Sequence, residues 1–300
     1  MARRARAAFD ARGDTAAAIA LRAGRRYVED DMPNRAASLA YFGILSLFPS
    51  LLIGVGVLRL VGGRDAPRTI ASFAADHGLS GALTDTLRSA FQTAESAPSS
   101  SAGLIGAAGV VALLYGASRA FTATGSALDT TGGRRPVPRS LLRRTQDVGW
   151  TLLLLTIGIV CVALLSLSGR LLREALELVG LSGAAVPIWS AARYPAAALL
   201  LLLAIAVLRY AAPTATKRRF RPVTTGSVTT VAAWLLASAG YSVYVAYIAS
   251  YNATYGAFAG AVILLLWIWL GAVALLYGAE LDAVLDERRA QRRARARVGW

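Results

Sequence analysis

Arg119 interrupts an otherwise uncharged run over residues 103–128. A charged side chain at the centre of a bilayer costs at least about 2.5 kcal/mol, so one kept there predicts a specific contact. Glu280 and Asp282 stand at the end of another apolar run, 255–281. We expect Arg119 to pair with Glu280 across a helix bundle. The alternatives are a static staple, or an arginine snorkelling to the inner headgroups. Pro49 falls inside the first apolar run, 36–58, ahead of Gly54 and Gly56. Proline removes a backbone hydrogen bond and bends a helix. The freed carbonyls can line a cavity, although a packed bend has the same sequence signature. Tyr241, Tyr244, Tyr251 and Tyr255 recur at three- and four-residue spacing with one longer gap. The stripe fits an interfacial aromatic belt or a wall that touches lipid headgroups. Arg119, Glu280, Asp282, Pro49, Tyr244 and Tyr251 are therefore the candidate substrate-binding residues, suited to a lipid or another anionic amphiphile.

Catalytic chemistry has little to draw on. The one histidine is His77, beside Asp76, in a hydrophilic stretch. A metal nuclease needs clustered histidine and carboxylate ligands, and a serine triad needs a histidine base near its nucleophile. No glycine-rich phosphate loop precedes a Lys-Ser or Lys-Thr pair. Cys161 is the single cysteine, which removes intrachain disulfides and four-cysteine zinc sites. The expectation is a protein that is not an enzyme, with no catalytic residue, metal or cofactor.

The elements that position these residues follow from composition. Of 300 residues, 56% are hydrophobic and 16% charged. Soluble domains run at roughly 45–50% and 25%. A membrane-crossing helix needs about 20 mostly apolar residues. Six runs qualify: 36–58, 103–128, 148–168, 189–210, 223–250 and 255–281. Backbone groups in lipid must be satisfied within the segment, and these runs do not alternate, so the expected fold is all-α with six transmembrane helices.

The net charge of +15 comes from 32 basic residues, all arginine except Lys217. They crowd into 1–35, 129–147, 211–222 and the tail from 284, and are sparse or absent in 59–102, 169–188 and 251–254. Cytoplasmic loops carry the arginine excess, so both termini are expected inside. The charge then points to anionic headgroups at the cytoplasmic face and to no specific nucleic acid. Outside the bundle, residues 14–31, two stretches within 59–102 and one within 169–188 have helical apolar faces and are expected as short interfacial helices. The Gly256–Gly260 pair, spaced GxxxG, is expected to bring the sixth helix close to the fifth. The organisation is thus a basic amphipathic segment (1–35), a six-helix domain (36–285) and a basic tail (286–300). Oligomeric state is not legible.

In this order the residues resemble the YihY/BrkB family of bacterial inner-membrane proteins. The resemblance rests on Arg35-Ala-Ala-Ser-Leu-Ala-Tyr-Phe-Gly-Ile-Leu-Ser-Leu-Phe-Pro49, on Tyr115-Gly-Ala-Ser-Arg-Ala-Phe121, and on Tyr210, Pro213, Tyr241 and Tyr244. It continues through Ala253-Thr-Tyr-Gly-Ala-Phe-Ala-Gly260, Leu266-Trp-Ile-Trp269 and Tyr277-Gly-Ala-Glu-Leu-Asp282, and covers about residues 20 to 285. The family often has Asn where Thr214 and Asp282 stand. The resemblance implies a six-helix protein of the bacterial inner membrane whose biochemical activity is unsettled. Members are variously labelled ribonuclease (ribonuclease BN among the labels), virulence factor or envelope-lipid protein. Translocation of a lipid or anionic amphiphile is the leading expectation. A non-transporting envelope scaffold acting through 59–102 is the alternative, and a membrane nuclease ranks last.

Overall fold

The computed structural model describes residues 15–46, 99–131, 133, 137, 139–166, 185–215, 220–248 and 252–297. Among them all regular structure is helical and there is no strand. The helices are α1 (Ala16–Glu29), α2 (32–46), α3 (Ser99–Thr130), α4 (Leu141–Ser166), α5 (Ala185–Ala211), α6 (Thr225–Ile248) and α7 (Asn252–Arg297). Two stretches, Pro187–Ala211 of α5 and Val262–Ala294 of α7, are long and apolar enough to cross a bilayer, with mean hydropathies of 2.0 and 2.3. Only 22% and 28% of them is buried inside the protein, whereas the core helix of a soluble protein is mostly buried. Their outward apolar surface, such as Leu199 and Leu203 on α5, suits lipid. The chain is therefore a helical membrane protein. Pro49, Tyr251, His77 and most of the expected interfacial helices in 59–102 and 169–188 lie outside the described residues.

The chain divides into two compact units. Unit 1 comprises Met1–Pro33, Thr124–Ala233 and Ala274–Trp300, and unit 2 comprises Asn34–Ala123 and Trp234–Val273. In unit 1, α1 begins at Thr15, whose hydroxyl accepts the Ala18 N–H at 3.3 Å, an N-cap that satisfies one orphan donor of the first turn. Its inner face sets Ile19 and Ala23 against Tyr277, Leu281, Val284 and Leu285 of α7. Asp31 follows at φ 56°, a left-handed turn that aspartate tolerates. Helix α4 packs along α5. The closest approach is between α6 and α7. A Cβ at Gly226 would collide with the Gly278 carbonyl, and one at Gly278 would collide with the Thr230 hydroxyl and the Gly226 carbonyl. Only glycine at both positions permits this crossing, the small-residue packing that serves helices in lipid.

In unit 2, Gly116 of α3 lets that helix lie against Ser46 of α2, where a Cβ would stand 3.0 Å from the Ser46 backbone nitrogen. Trp234 of α6 and Trp267 of α7 have ring centroids 5.0 Å apart. The Trp267 indole N–H donates to Ser238 Oγ at 3.0 Å, giving a buried polar tip its partner. The Tyr241 hydroxyl donates to the Ile263 carbonyl.

Candidate functional site

In unit 1 the charged residues sit where helices end. A helix terminus leaves backbone N–H or C=O groups without intrahelical partners, and side chains can take them. Thr224 caps α6: its hydroxyl accepts the Ser227 N–H at 3.0 Å while Ser227 Oγ accepts the Thr224 N–H at 2.8 Å. Asp282 of α7 joins this end. Its Oδ1 accepts the Gly226 N–H at 2.8 Å, and its Oδ2 accepts the Thr224 hydroxyl at 2.5 Å and lies 2.7 Å from Arg209 Nη2. Arg209 Nη1 also donates to Thr224 Oγ1 at 3.3 Å. The Thr224 hydroxyl thus gives its one proton to Asp282 and receives two, its full capacity. The carboxylate sits at the positive end of the α6 dipole, beside a guanidinium whose side chain is 11% exposed. Asp282 is occupied in holding α5, α6 and α7 together.

A second knot closes the other end of α5. Asp147 of α4 is 1% exposed and pairs with Arg139 at 2.8 Å and Arg143 at 3.5 Å. One carboxylate facing two guanidiniums leaves spare donors. Arg139 Nη2 gives one to the Ala212 carbonyl at 3.0 Å, and Arg143 Nη2 serves the Ala211 and Pro213 carbonyls at 2.6 and 3.2 Å. Asp129, also 1% exposed, accepts the Thr214 N–H, the Thr214 hydroxyl and the Ala215 N–H at 2.7–3.1 Å. Thr214 is thus a ligand of Asp129 through both backbone and side chain.

On α1, Arg26 makes a bidentate pair with Glu287 of α7, both bonds 2.7 Å, and these bonds hold the guanidinium above its ordinary value. Glu280 is fully buried in this unit, with Asp30 and Arg26 of α1 and Glu287 as its charged neighbours. Burial pushes the Tyr27 phenol up to about 12, and its hydroxyl has no hydrogen-bond partner.

Arg119 lies in unit 2 and Glu280 in unit 1, so the two members of the expected pair belong to different units. Arg119 is exposed, with its guanidinium carbon 5.3 Å from the centroid of the Phe42 ring. This is within cation–π range. No carboxylate among the described residues neutralises it. Val111 and Tyr115 precede it by eight and four residues on the same face of α3 and are 68% and 59% exposed. Tyr41 and Leu45 of α2 are exposed as well. Arg119 is thus a free cation on an apolar, aromatic face. Tyr244 is half exposed, its ring tilted against Tyr241 at 6.3 Å. The sequence reading did not single out Arg209, Asp129, Asp147 or Arg139. The available signal was position: Arg209 closes one apolar run, Thr224 opens the next and Asp282 closes the last.

Apolar helices tied at their ends by buried arginine–carboxylate knots, with one free arginine on an apolar face, define a helical membrane protein. The chain belongs to the BrkB family, described as "Virulence factor BrkB", whose pattern matches residues 23–298. It is 27% identical over 266 residues to the "Putative ribonuclease-like protein YfkH" of Bacillus subtilis, covering 88% of this chain and 94% of that one. It is also 27% identical over 282 residues to a UPF0761 membrane protein of Paraburkholderia xenovorans, covering 92% of this chain and 62% of the relative's length. A UPF0761 membrane protein of Chromohalobacter salexigens is 42% identical over 71 residues, 24% of this chain and 17% of the relative. No solved structure matches.

Proposed function

We propose that the protein is a six-span protein of the bacterial inner membrane, with both termini in the cytoplasm, that binds and translocates a lipid or similar anionic amphiphile at the α2–α3 face. The observation that carries the reading is Arg119: an uncompensated cation over Phe42, flanked along one face by Val111 and Tyr115. An anionic headgroup would neutralise the guanidinium while an acyl chain lies along the apolar residues. The topology is supported by the position of the arginine-rich connections. Those at 129–147, 211–222 and 284–300 all fall in unit 1, with the segment up to Pro33. Helix α1 presents Leu21 and Val28, seven residues apart and 76% and 69% exposed, with Arg25 between them, also exposed. That face suits an inner leaflet rich in anionic lipid.

The reading is of a binding and carrying protein and not of an enzyme. The ribonuclease-like wording belongs to the Bacillus relative. The one histidine here is His77, and a phosphodiester hydrolase needs a metal cluster or a paired acid and base.

The test is lipid translocation by purified protein in liposomes, with fluorescent phospholipids and an outside-only quencher, comparing wild type with Arg119→Ala at matched reconstitution. Loss of the protected lipid pool in wild type, restored by the substitution, is the expected result. A protected pool unchanged in both would overturn the reading and favour a scaffold that recruits partners through 59–102.

A further inference from the structure

Glu280 is fully buried, and neither of its side-chain oxygens has a hydrogen-bond partner. The carboxyl within hydrogen-bonding reach of it is that of Asp30, the residue that caps the C-terminal end of α1. Ionised carboxylates accept and do not donate, so two of them in contact cannot bond to each other. One proton between the two changes that: the same atoms then form a carboxyl–carboxylate hydrogen bond, among the stronger kinds.

The surroundings leave little else to compensate two negative charges. Arg26 is the neighbouring cation from α1, and both its terminal nitrogens are committed to Glu287 at 2.7 Å. Arg22 also faces Glu287, at 3.6 Å. From α7 the facing groups are Glu287, a further negative charge, and the Tyr277 phenol, which donates to the Ala20 carbonyl at 3.2 Å. The Tyr27 ring stands 6.4 Å from Tyr277. A metal ion would want a third ligand, and among the described residues no group of three His, Cys, Asp or Glu side chains forms.

We propose that Asp30 and Glu280 form a proton-binding site whose single shared proton holds the N-terminal helix α1 against α7. The proton comes from water on loading and returns to water on release, with no other bond made or broken. With the proton present, the hydrogen bond adds to the apolar contact of Ala23 with Leu281 and Val284 and to the Arg26–Glu287 pair. Without it, two like charges face each other in a dry contact and α1 lifts away. This inference stands independently of lipid translocation.

The experiment uses the full chain in lipid nanodiscs. Infrared spectra are recorded at a pH where exposed carboxyls are ionised, with and without carbon-13 glutamate. The wild type is expected to keep a protonated-carboxyl band that Glu280→Gln removes. Trypsin cleavage within α1, at Arg22 and Arg25, is followed in parallel as pH is raised. Wild type is expected to become sensitive, while Glu280→Gln, whose amide donates to Asp30 at any pH, stays protected when compared at each pH. Asp30→Asn, at a less buried position, should remove the same band and so tests the site if Glu280→Gln does not fold. Absence of the band in wild type, or its survival in both variants, overturns the proposal. So does an α1 cleavage profile in Glu280→Gln that follows the wild type.

Discussion

In unit 1 the helices are held by charge at their ends; in unit 2 the described contacts are rings and small residues along their lengths. Arg209, Thr224 and Asp282 close one junction of unit 1, and Arg139, Arg143 and Asp147 close another. Unit 2 offers Trp234 on Trp267, Gly116 against Ser46, and Arg119 over Phe42. The difference follows from which backbone groups each unit contains. The described part of unit 1 includes the turn after α5 and the start of α6, where carbonyls and N–H groups lack intrahelical partners. The described part of unit 2 is mostly helix interior, where the backbone is already satisfied and only packing is left. An arginine in unit 1 therefore meets carbonyls and carboxylates. Arg119, in mid-helix, meets only a ring.

Four substitutions test this contrast. The largest effect belongs to Asp282→Ala, which strands Arg209 and the first turn of α6. Breaking a buried pair from one side costs about 3–5 kcal/mol. The loss should appear as a large fall in thermal midpoint and in monodisperse yield, with Asp282→Asn intermediate. Gly278→Ala comes next, at about 1–3 kcal/mol for overpacking, because the added methyl meets the Thr230 hydroxyl and the Gly226 carbonyl. A tolerated methyl there would show that α6 and α7 do not cross so closely. Tyr27→Phe should be stabilising by about 1 kcal/mol, since the buried hydroxyl it removes is unpartnered. With the phenol raised to about 12 from an ordinary value of about 10, its protonated form contributes stability that is complete below about pH 10. That contribution is lost as pH rises through about 12. The phenylalanine variant should lack this alkaline loss in a pH series of unfolding midpoints. Arg119→Ala should be the smallest, within about 0.5 kcal/mol in stability, even where it abolishes transport. A large destabilisation would mean that the arginine is part of the packing after all.

Much of the helical framework was legible, because apolar runs of this length have one solution in lipid. Helix α1 was legible too, from its apolar face over 14–31. The reading ended the last helix near residue 281, where the apolar run ends, yet α7 continues to Arg297. Arginine is a good helix former, and Asp286 with Arg289 supports the extension at 3.3 Å, whereas hydropathy registers only the change in polarity. The expected close approach was placed at Gly256 and Gly260, whose surroundings lie outside the described residues. The one observed joins Gly226 and Gly278, two single glycines with no spacing signature. The Arg209–Thr224–Asp282 junction was hidden for a related reason. Its members come from three helices, and only tertiary structure brings three run ends together. Thr229 and Thr230 do bond back to the Thr225 and Gly226 carbonyls, as expected for threonines opening a helix in lipid. Thr224 caps the helix instead.

The turn after α5 has a consequence for labelling and engineering. Its carbonyls at Ala211, Ala212 and Pro213 are held by Arg139 and Arg143, and its amides at Thr214 and Ala215 by Asp129. A connection whose backbone is satisfied from both sides by buried side chains behaves as core. Its Thr214 and Ala215 amides should exchange with deuterium as slowly as those of the neighbouring helices. Tolerance to insertion follows the burial and bonding of the backbone and not position between helices, so an epitope tag placed at Pro213 should unravel the knot rather than decorate a loop.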